Sequence, residues 1–241
     1  MKTPSAPRTP VWQAIANTLR SELSDQRYRP GDKLPTEAAL SDRFGVNRHT
    51  VRHAISKLVD EGLVRTRRGA GAFVAQLPTD YPIGARVRFH ESLLAAGRSP
   101  EKRVLHIERR GATAGEAKVL KLETGALVCA YHGISLADEQ PIALFESVFP
   151  LVRLAGLDEV LMRVSSVTQA LAQVGIADYT RSSTRLTAVR ADVTQALQLH
   201  VNEGDPLIRS TGVNVDVGDM PVEYGRAFFA GDKVTLTLDR E

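Results

Sequence analysis

Between positions 47 and 57 of a 241-residue chain stand Asn47, Arg48, His49, Thr50, Arg52, His53 and Lys57, interleaved with Val51, Ala54, Ile55, Leu58 and Val59 at helical spacing. That pattern buries the apolar residues on one side of a helix and leaves the polar set on the other. The polar residues crowd into the first turns, the part of a recognition helix that reaches base edges. Their chemistry suits a nucleic acid: Arg forks onto guanine, Asn onto adenine, and Thr touches a thymine methyl or a phosphate. Free amides at a helix N-terminus favour phosphate as well. Further on, Arg67 and Arg68 stand beside Gly69 and Gly71, which let a backbone come close, as a wing tip lying on DNA requires. The competing reading of this whole face is a basic surface that is merely solvated.

A second set of residues lies in the remainder of the chain. Arg88 and His90 sit at the start of a segment with helical spacing, where free amides and the helix dipole favour an anion. Arg181, Thr184 and Arg185 fall on one strand-like run, and strict alternation places Arg181 and Arg185 on the same face. Glu223 and Tyr224 open the last hairpin. Two arginines and a helix N-terminus form a cradle for a phosphate or phosphonate, with Glu223 available to an amine. The alternative is that Arg181 and Arg185 are surface charges paired with nearby carboxylates.

Other reactive side chains carry less. His49 and His53 have the i, i+4 spacing of a metal pair but no third ligand nearby, so a DNA-facing role is the better reading, and neither metal nor cofactor is expected. Cys129 is the single cysteine, which excludes an internal disulfide framework and a cysteine-rich zinc site, and it reads as small core filling. The glycines at 111 and 115 lack the Gly-Lys-Ser/Thr ending of a phosphate loop, and Gly69-Ala70-Gly71 precedes a strand rather than the helix of a dinucleotide fingerprint. No Ser-His-Asp order or HExxH pair is present, so nothing supports an enzyme.

The elements that must hold these residues can be read from periodicity and punctuation. Trp12, Ile15, Leu19 and Leu23 mark one face of a helix over 11–24. After the Pro30-Gly31-Asp32 turn, Thr36 is placed to cap a short helix with Ala39, Leu40 and Phe44 inward and Gly45 at its end. Asn47 caps the third helix, and two short strands follow around the glycines at 69–71. Helix, tight turn and helix make a helix-turn-helix, and the hairpin behind it makes a wing. The stretch 77–86, with Pro78 and Pro82, reads as a connector between an N-terminal domain at 8–76 and a second at 87–241.

Composition is that of a folded chain: 43% hydrophobic and 24% charged, with no apolar run approaching a membrane span. No apolar signal segment follows the start, and the cytoplasm is the simplest location. The net charge of +3 divides unevenly, with 13 Lys/Arg against 7 Asp/Glu over residues 1–77 and 18 against 21 over the rest. A basic module followed by a mildly acidic one suits a polyanion partner for the first only. The acidic half contains a repeat: Ala117, Leu120, Gly125, Leu127-Val128, Asp138 and Pro141-Ile142 return as Ala196, Leu199, Gly204, Pro206-Leu207, Asp216 and Pro221-Val222. Two copies are too few for a solenoid and point to a pseudo-symmetric α+β domain around an antiparallel sheet, with further strands at 102–109, 179–189 and 233–238 and helices at 89–96, 157–162 and 166–174.

The runs Pro30-Gly31-Asp32-Lys33-Leu34-Pro35-Thr36-Glu37, Phe44-Gly45-Val46-Asn47-Arg48-His49-Thr50-Val51-Arg52 and Arg68-Gly69-Ala70-Gly71 resemble the winged helix of GntR-family repressors. The resemblance implies operator contacts at Arg48, Thr50, Arg52 and Arg68; an arginine used by some members on the second helix is Ala38 here. Residues 80–238 resemble the chorismate-lyase-like effector domain of the HutC subfamily, through Val87-Arg88-Phe89, Ala96-Gly97-Arg98-Ser99-Pro100, Leu136-Ala137-Asp138, Tyr179 with Arg181, and Pro221-Val222-Glu223-Tyr224-Gly225. Arg88-Phe89 and Glu223-Tyr224-Gly225 look most like repressors of phosphonate operons. Many members that bind amino-sugar phosphates carry arginines where this chain has Gly133 and Ser135, which counts against a sugar phosphate held that way.

Together these readings give a cytoplasmic, homodimeric repressor that binds a palindromic operator and a small effector, a phosphonate or phosphate compound foremost. The expected DNA contacts are Thr36, Asn47, Arg48, His49, Thr50, Arg52, Arg67, Arg68, Gly69 and Gly71. The expected effector contacts are Arg88, His90, Ser135, Arg181, Thr184, Arg185, Glu223 and Tyr224. The alternatives are an enzyme with lyase-like chemistry and accessory DNA binding, a sequence-indifferent DNA binder, or a regulator answering to another nutrient.

Overall fold

The computed structural model describes residues 10–238 apart from 68, 76, 77, 85, 87 and 165. The expectations placed on Arg68 and Val87 lie outside the described residues. The chain divides into two compact units, Met1–Leu77 and Pro78–Glu241.

The first unit holds helices α1 (Val11–Ser24), α2 (Glu37–Phe44) and α3 (Arg48–Asp60) and the hairpin β1 (Val64–Arg67) with β2 (Gly71–Val74). Local chemistry sets the helix ends: the Thr36 hydroxyl accepts from the Ala39 amide, Gly45 turns left-handed at φ 65°, and the Asn47 side chain accepts from the Thr50 amide. Ile15, Leu19, Leu40, Val51, Ala54, Ile55 and Leu58 close into one core. Ala39, expected inside, is exposed, and Ser41 lies inward beside Leu40. The inner stripe of this two-turn helix runs through Leu40, Ser41 and Phe44, and Ala39 is about 100° off it.

The second unit is built on a six-stranded antiparallel sheet. Its two β-α-β-β copies are β4 (Pro100–Gly111), α5 (Ala114–Leu120), β5 (Leu127–Ala137) and β6 (Gln140–Pro150), then β7 (Tyr179–Arg190), α8 (Val193–Leu199), β8 (Pro206–Asp216) and β9 (Pro221–Ala230). The strand order β4-β5-β6-β9-β8-β7 is a palindrome of the two copies, joined where β6 pairs with β9. The repeat extends to the helix caps. Thr113 with Glu116 and Asp192 with Gln195 form reciprocal capping boxes, and Lys121 and His200 end the two helices in the left-handed region. The Gly111–Gly115 segment therefore serves a helix cap.

One face of the sheet is covered by α5 and α8, which bury Ala117, Leu120, Ala196 and Leu199. The other face is covered at one end by α6 (Leu157–Leu161) and α7 (Val167–Gln173), around Tyr131 and Phe149. At the other end lie α4 (Phe89–Ala95), β3 (Thr79–Pro82) and β10 (Val234–Thr237), around Tyr81, Leu93 and Phe229. Residues 79–82, read from sequence as connector, thus form a strand that pairs in parallel with β10. Inward alternation of Thr79 and Tyr81 outweighs the proline signal, since Pro82 closes the strand rather than interrupting it. Cys129 is fully buried, and desolvation pushes its thiol up to about 12. No helix among the described residues is long and apolar enough to cross a membrane.

Two stability tests follow. A Cβ at Gly133 would stand 2.4 Å from the Arg103 carbonyl oxygen and 2.5 Å from Phe145 Cζ, so Gly133→Ala should cost about 1–3 kcal/mol in denaturant unfolding. Gly115→Ala, which meets open space, should leave stability unchanged or raise it by up to about 1 kcal/mol. In the α5 capping box, Arg110 and the Thr113 amide hold the Glu116 carboxyl down to about 2 from an ordinary 4.5. Because the folded value is depressed, that stabilisation is complete above about pH 4.5 and drains away as pH falls toward 2. Glu116→Gln should flatten the stability curve across that window.

Candidate nucleic-acid interface and ligand cavity

On the first unit, Asn47, Arg48, His49 and Arg52 are exposed on the opening turns of α3, with Thr50 half-buried. The Asn47 cap also receives the Thr50 hydroxyl at 3.0 Å, which fixes both side chains before any partner arrives. Thr36 spends one lone pair on its cap and keeps its O–H to donate. The side chains of Arg48 and His49 make no hydrogen bond among the described residues, and the charge of Arg48 helps hold Glu37 down. Arg52 lies against Glu37 at the start of α2, with Nε–Oε1 at 3.0 Å and Nη2–Oε2 at 2.7 Å. This pair holds the Glu37 carboxyl below the usual carboxylate range.

The Arg52–Glu37 pair is open to water, at 63% and 36% side-chain exposure, so solvent screens it and it adds little to stability. A base or phosphate contact outweighs it. It also occupies only one edge of the guanidinium and leaves Nη1 to a second acceptor. Sequence reading missed Glu37 because the pairing crosses 15 positions between two helices.

Gly69 and Gly71 are exposed on the wing at φ 74° and 107°. The Arg67 guanidinium packs 3.8 Å from the Phe73 ring centroid, so its position is set within the hairpin. His53 stacks on Trp12 at 4.2 Å. That contact turns it toward α1 and away from any metal pair with His49.

The second unit contains a cavity of about 130 Å³ on the sheet face between the α4–β3 end and α7. Its lining includes five of the expected residues: His90, Ser135, Arg181, Thr184 and Glu223. Two of them, Arg181 and Glu223, are tied through Asn214 and Ser147 by a polar network. Arg181 Nε donates to Asn214 Oδ1 at 2.7 Å, Asn214 Nδ2 donates to Glu223 Oε2 at 2.5 Å, and Ser147 Oγ donates to Glu223 Oε1 at 2.6 Å. Arg181 lies across Gly212, where a Cβ would stand 2.1 Å from Nη1. Burial pushes the hydroxyls of Tyr81 and Tyr179 up, and burial followed by the charge of Lys102 pushes His90 down.

Three expected residues are not in the lining. A bulge between Arg181 and Ser183 adds a residue to β7 and inverts the alternation beyond it, so Thr184 shares the face of Arg181 and Arg185 takes the opposite one. Tyr224 neighbours Glu223 on β9 and therefore points the other way, into the cluster under α5. Arg88 is drawn off by Asp178, at 2.9 Å, and by Glu91, at 3.6 Å. In the place of these three stand Lys102, Ser147, Asn214 and Tyr81. A signal for Asn214 was present, since a lone amide between Val213 and Val215 is out of keeping with an apolar strand. The phenyl ring of Phe145 fills the space over Gly133.

Comparison with known proteins adds a family to this geometry. A family model for bacterial regulatory proteins of the gntR family matches residues 12–74, and one for the UTRA domain matches residues 95–235. The chain is 34% identical to an HTH-type transcriptional regulator of Rhizobium meliloti (strain 1021), over 95% of this chain and 94% of that protein. It is 33% identical to the probable transcriptional regulator PhnF of Escherichia coli (strain K12), over the same shares of the two chains. Among solved structures, PhnF from Mycobacterium smegmatis aligns with a TM-score of 0.65 at 26% identity, over 96% of this chain and 99% of that one.

Arg52→Ala should cost about 1–3 kcal/mol of DNA affinity and flatten base preference at one position, measured by titration of single-base operator variants. An equal loss on every sequence would make Arg52 a phosphate contact.

Proposed function

The chain belongs to the gntR family of bacterial regulatory proteins and carries a UTRA domain behind its winged helix, and from that premise we propose how this effector-controlled, DNA-binding transcriptional repressor divides its work. The reader lies ahead of residue 77 and the effector and dimerisation domain behind it. Thr36, Asn47, Arg48, His49, Thr50 and Arg52 meet one half-site, with Arg67, Arg68, Gly69 and Gly71 on the wing. A homodimer in the cytoplasm meets both halves of a palindrome. The effector occupies the cavity floored by the Arg181–Asn214–Glu223 network and touches His90, Ser135 and Thr184.

That network is the single observation carrying the reading: a buried polar constellation in the floor of a cavity is a costly arrangement for structure alone. A phosphonate is the leading effector, on the resemblance of Glu223-Tyr224-Gly225 to phosphonate-operon repressors and on the cationic lining. Release requires that ligand bind one state of the dimer better than the state matched to the operator spacing. A second reading rests on three relatives, 25–26% identical, each named as a probable fructoselysine utilisation operon transcriptional repressor, and makes the effector sugar-derived.

Footprinting on the DNA upstream of the gene should reveal one short protected palindrome, whereas uniform protection along any DNA would overturn sequence-specific repression. Melting of the full chain against alkylphosphonates, phosphate esters and amino sugars should shift with the phosphonates, and Arg181→Met should abolish the shift where Arg88→Ala leaves it in place.

A further inference from the structure

Lys102 lies on β4, opposite Ser135 in register, and enters the cavity between two rings. Its Nζ stands 4.9 Å from the Phe145 centroid and 5.6 Å from that of Phe89. Among the described residues it has no hydrogen-bond or ion-pair partner. The carboxylate that could neutralise it, Glu223, has one oxygen on Ser147 and the other on Asn214. Arg181 spends only Nε on that network and keeps its Nη donors. Two cations with unspent donors therefore face one carboxylate, and neither makes a direct ion pair with it.

Desolvation is the larger force on Lys102 and brings it down to about 8, against the pull of Glu223. Lys102 is half-buried between the two rings, and a cation left unpaired there is relieved by an anion.

We propose that Lys102 is the anchoring residue for the effector and that the effector carries an oxyanion, a phosphonate or a phosphate monoester, on a short apolar body. The anion sits between Lys102 and Arg181, and the body packs on Phe89, Phe145 and Phe229, which wall the cavity. Glu223 holds Asn214 and Ser147 in place. This inference rests on the cavity being the effector site.

Proton linkage gives it a second signature. His90 from α4, Tyr81 from β3, Tyr179 and Arg181 from β7, and Glu223 and Arg226 from β9 line the cavity with Lys102. Of these, His90 and Lys102 are both shifted toward neutrality, His90 downward from 6.5 and Lys102 to about 8, so the loss of charge as pH rises past about 8 belongs to Lys102. An anion restores its proton, so affinity should fall as pH rises past about 8, and the fall should vanish when Lys102 is replaced.

The test is calorimetric titration of the full chain with ethylphosphonate, ethyl phosphate and the neutral diethyl ethylphosphonate, with operator release followed in parallel. Binding of one or both anions but not the neutral ester is expected, at least tenfold weaker in Lys102→Met and largely recovered in Lys102→Arg. Comparison of ethylphosphonate with ethyl phosphate tells a phosphonate from a phosphate-ester effector. Methionine keeps the apolar packing between the rings, so Lys102→Met should melt at or above the wild-type temperature. Unchanged affinity in Lys102→Met, with loss in Arg181→Met, would remove Lys102 as anchor while leaving the cavity as the effector site. Equal binding of the neutral ester, or no binding of either anion to the wild-type chain, would overturn the oxyanion class. Lys102-dependent binding without operator release would uphold the anion site and refute the effector reading.

Discussion

Antiparallel pairing of β6 with β9 is the contact on which the second unit depends. It sets Ser147 opposite Gly225 and Phe145 opposite Ala227, and it is the only strand pairing that joins the two β-α-β-β copies among the described residues. Because side chains alternate along every strand, this one register commits each neighbouring residue to one of two faces. Odd positions from 223 to 229 on β9 line the cavity, joined by Arg226, and Tyr224 turns into the packing beneath α5. A slip of one residue would exchange the polar floor for the hydrophobic one. Gly133 and Gly212 support the same arrangement by yielding space to Phe145 and Arg181.

Within the cavity, the balance is between desolvation and pairing. Glu223 is satisfied by two neutral donors, while Arg181 shares the amide oxygen of Asn214. The opposite charges are thus joined through an amide rather than in a direct ion pair, which leaves cationic capacity facing the cavity. Arg88 and Arg86 illustrate the other outcome: both close on Asp178, and their charge is spent on structure.

In the reader, rigidity comes from short-range capping and from pairs weak enough to be exchanged. Asn47 locks Thr50 and the first turn of α3, whereas Arg52 rests on Glu37 in a water-exposed pair. A side chain held this way is pre-oriented at little cost when a base competes for it. Glu22 differs: its nearly buried carboxylate is held below its usual range by Arg43, and it ties α1 to α2.

Much of this architecture was legible without coordinates. Helical spacing gave α1 and α3, cap chemistry gave the ends of α2 and the start of α3, and the repeat in residues 117–142 and 196–222 pointed to a pseudo-symmetric domain around an antiparallel sheet. These are near-neighbour properties, decided by which residues lie two to four positions apart. The polar sites were legible only in part. Thr184 and Arg185 exchange faces because one extra residue bulges out of β7, Arg88 is captured by an aspartate 90 positions away, and Lys102 becomes significant only when strands distant in the chain surround it with rings. The sequence by itself determined most of the elements, though not β3, together with the exposed basic turn of α3 and the family. Only the tertiary structure decided which charges are spent on one another and which remain for a ligand, because that outcome depends on long-range pairing and burial that no local pattern encodes.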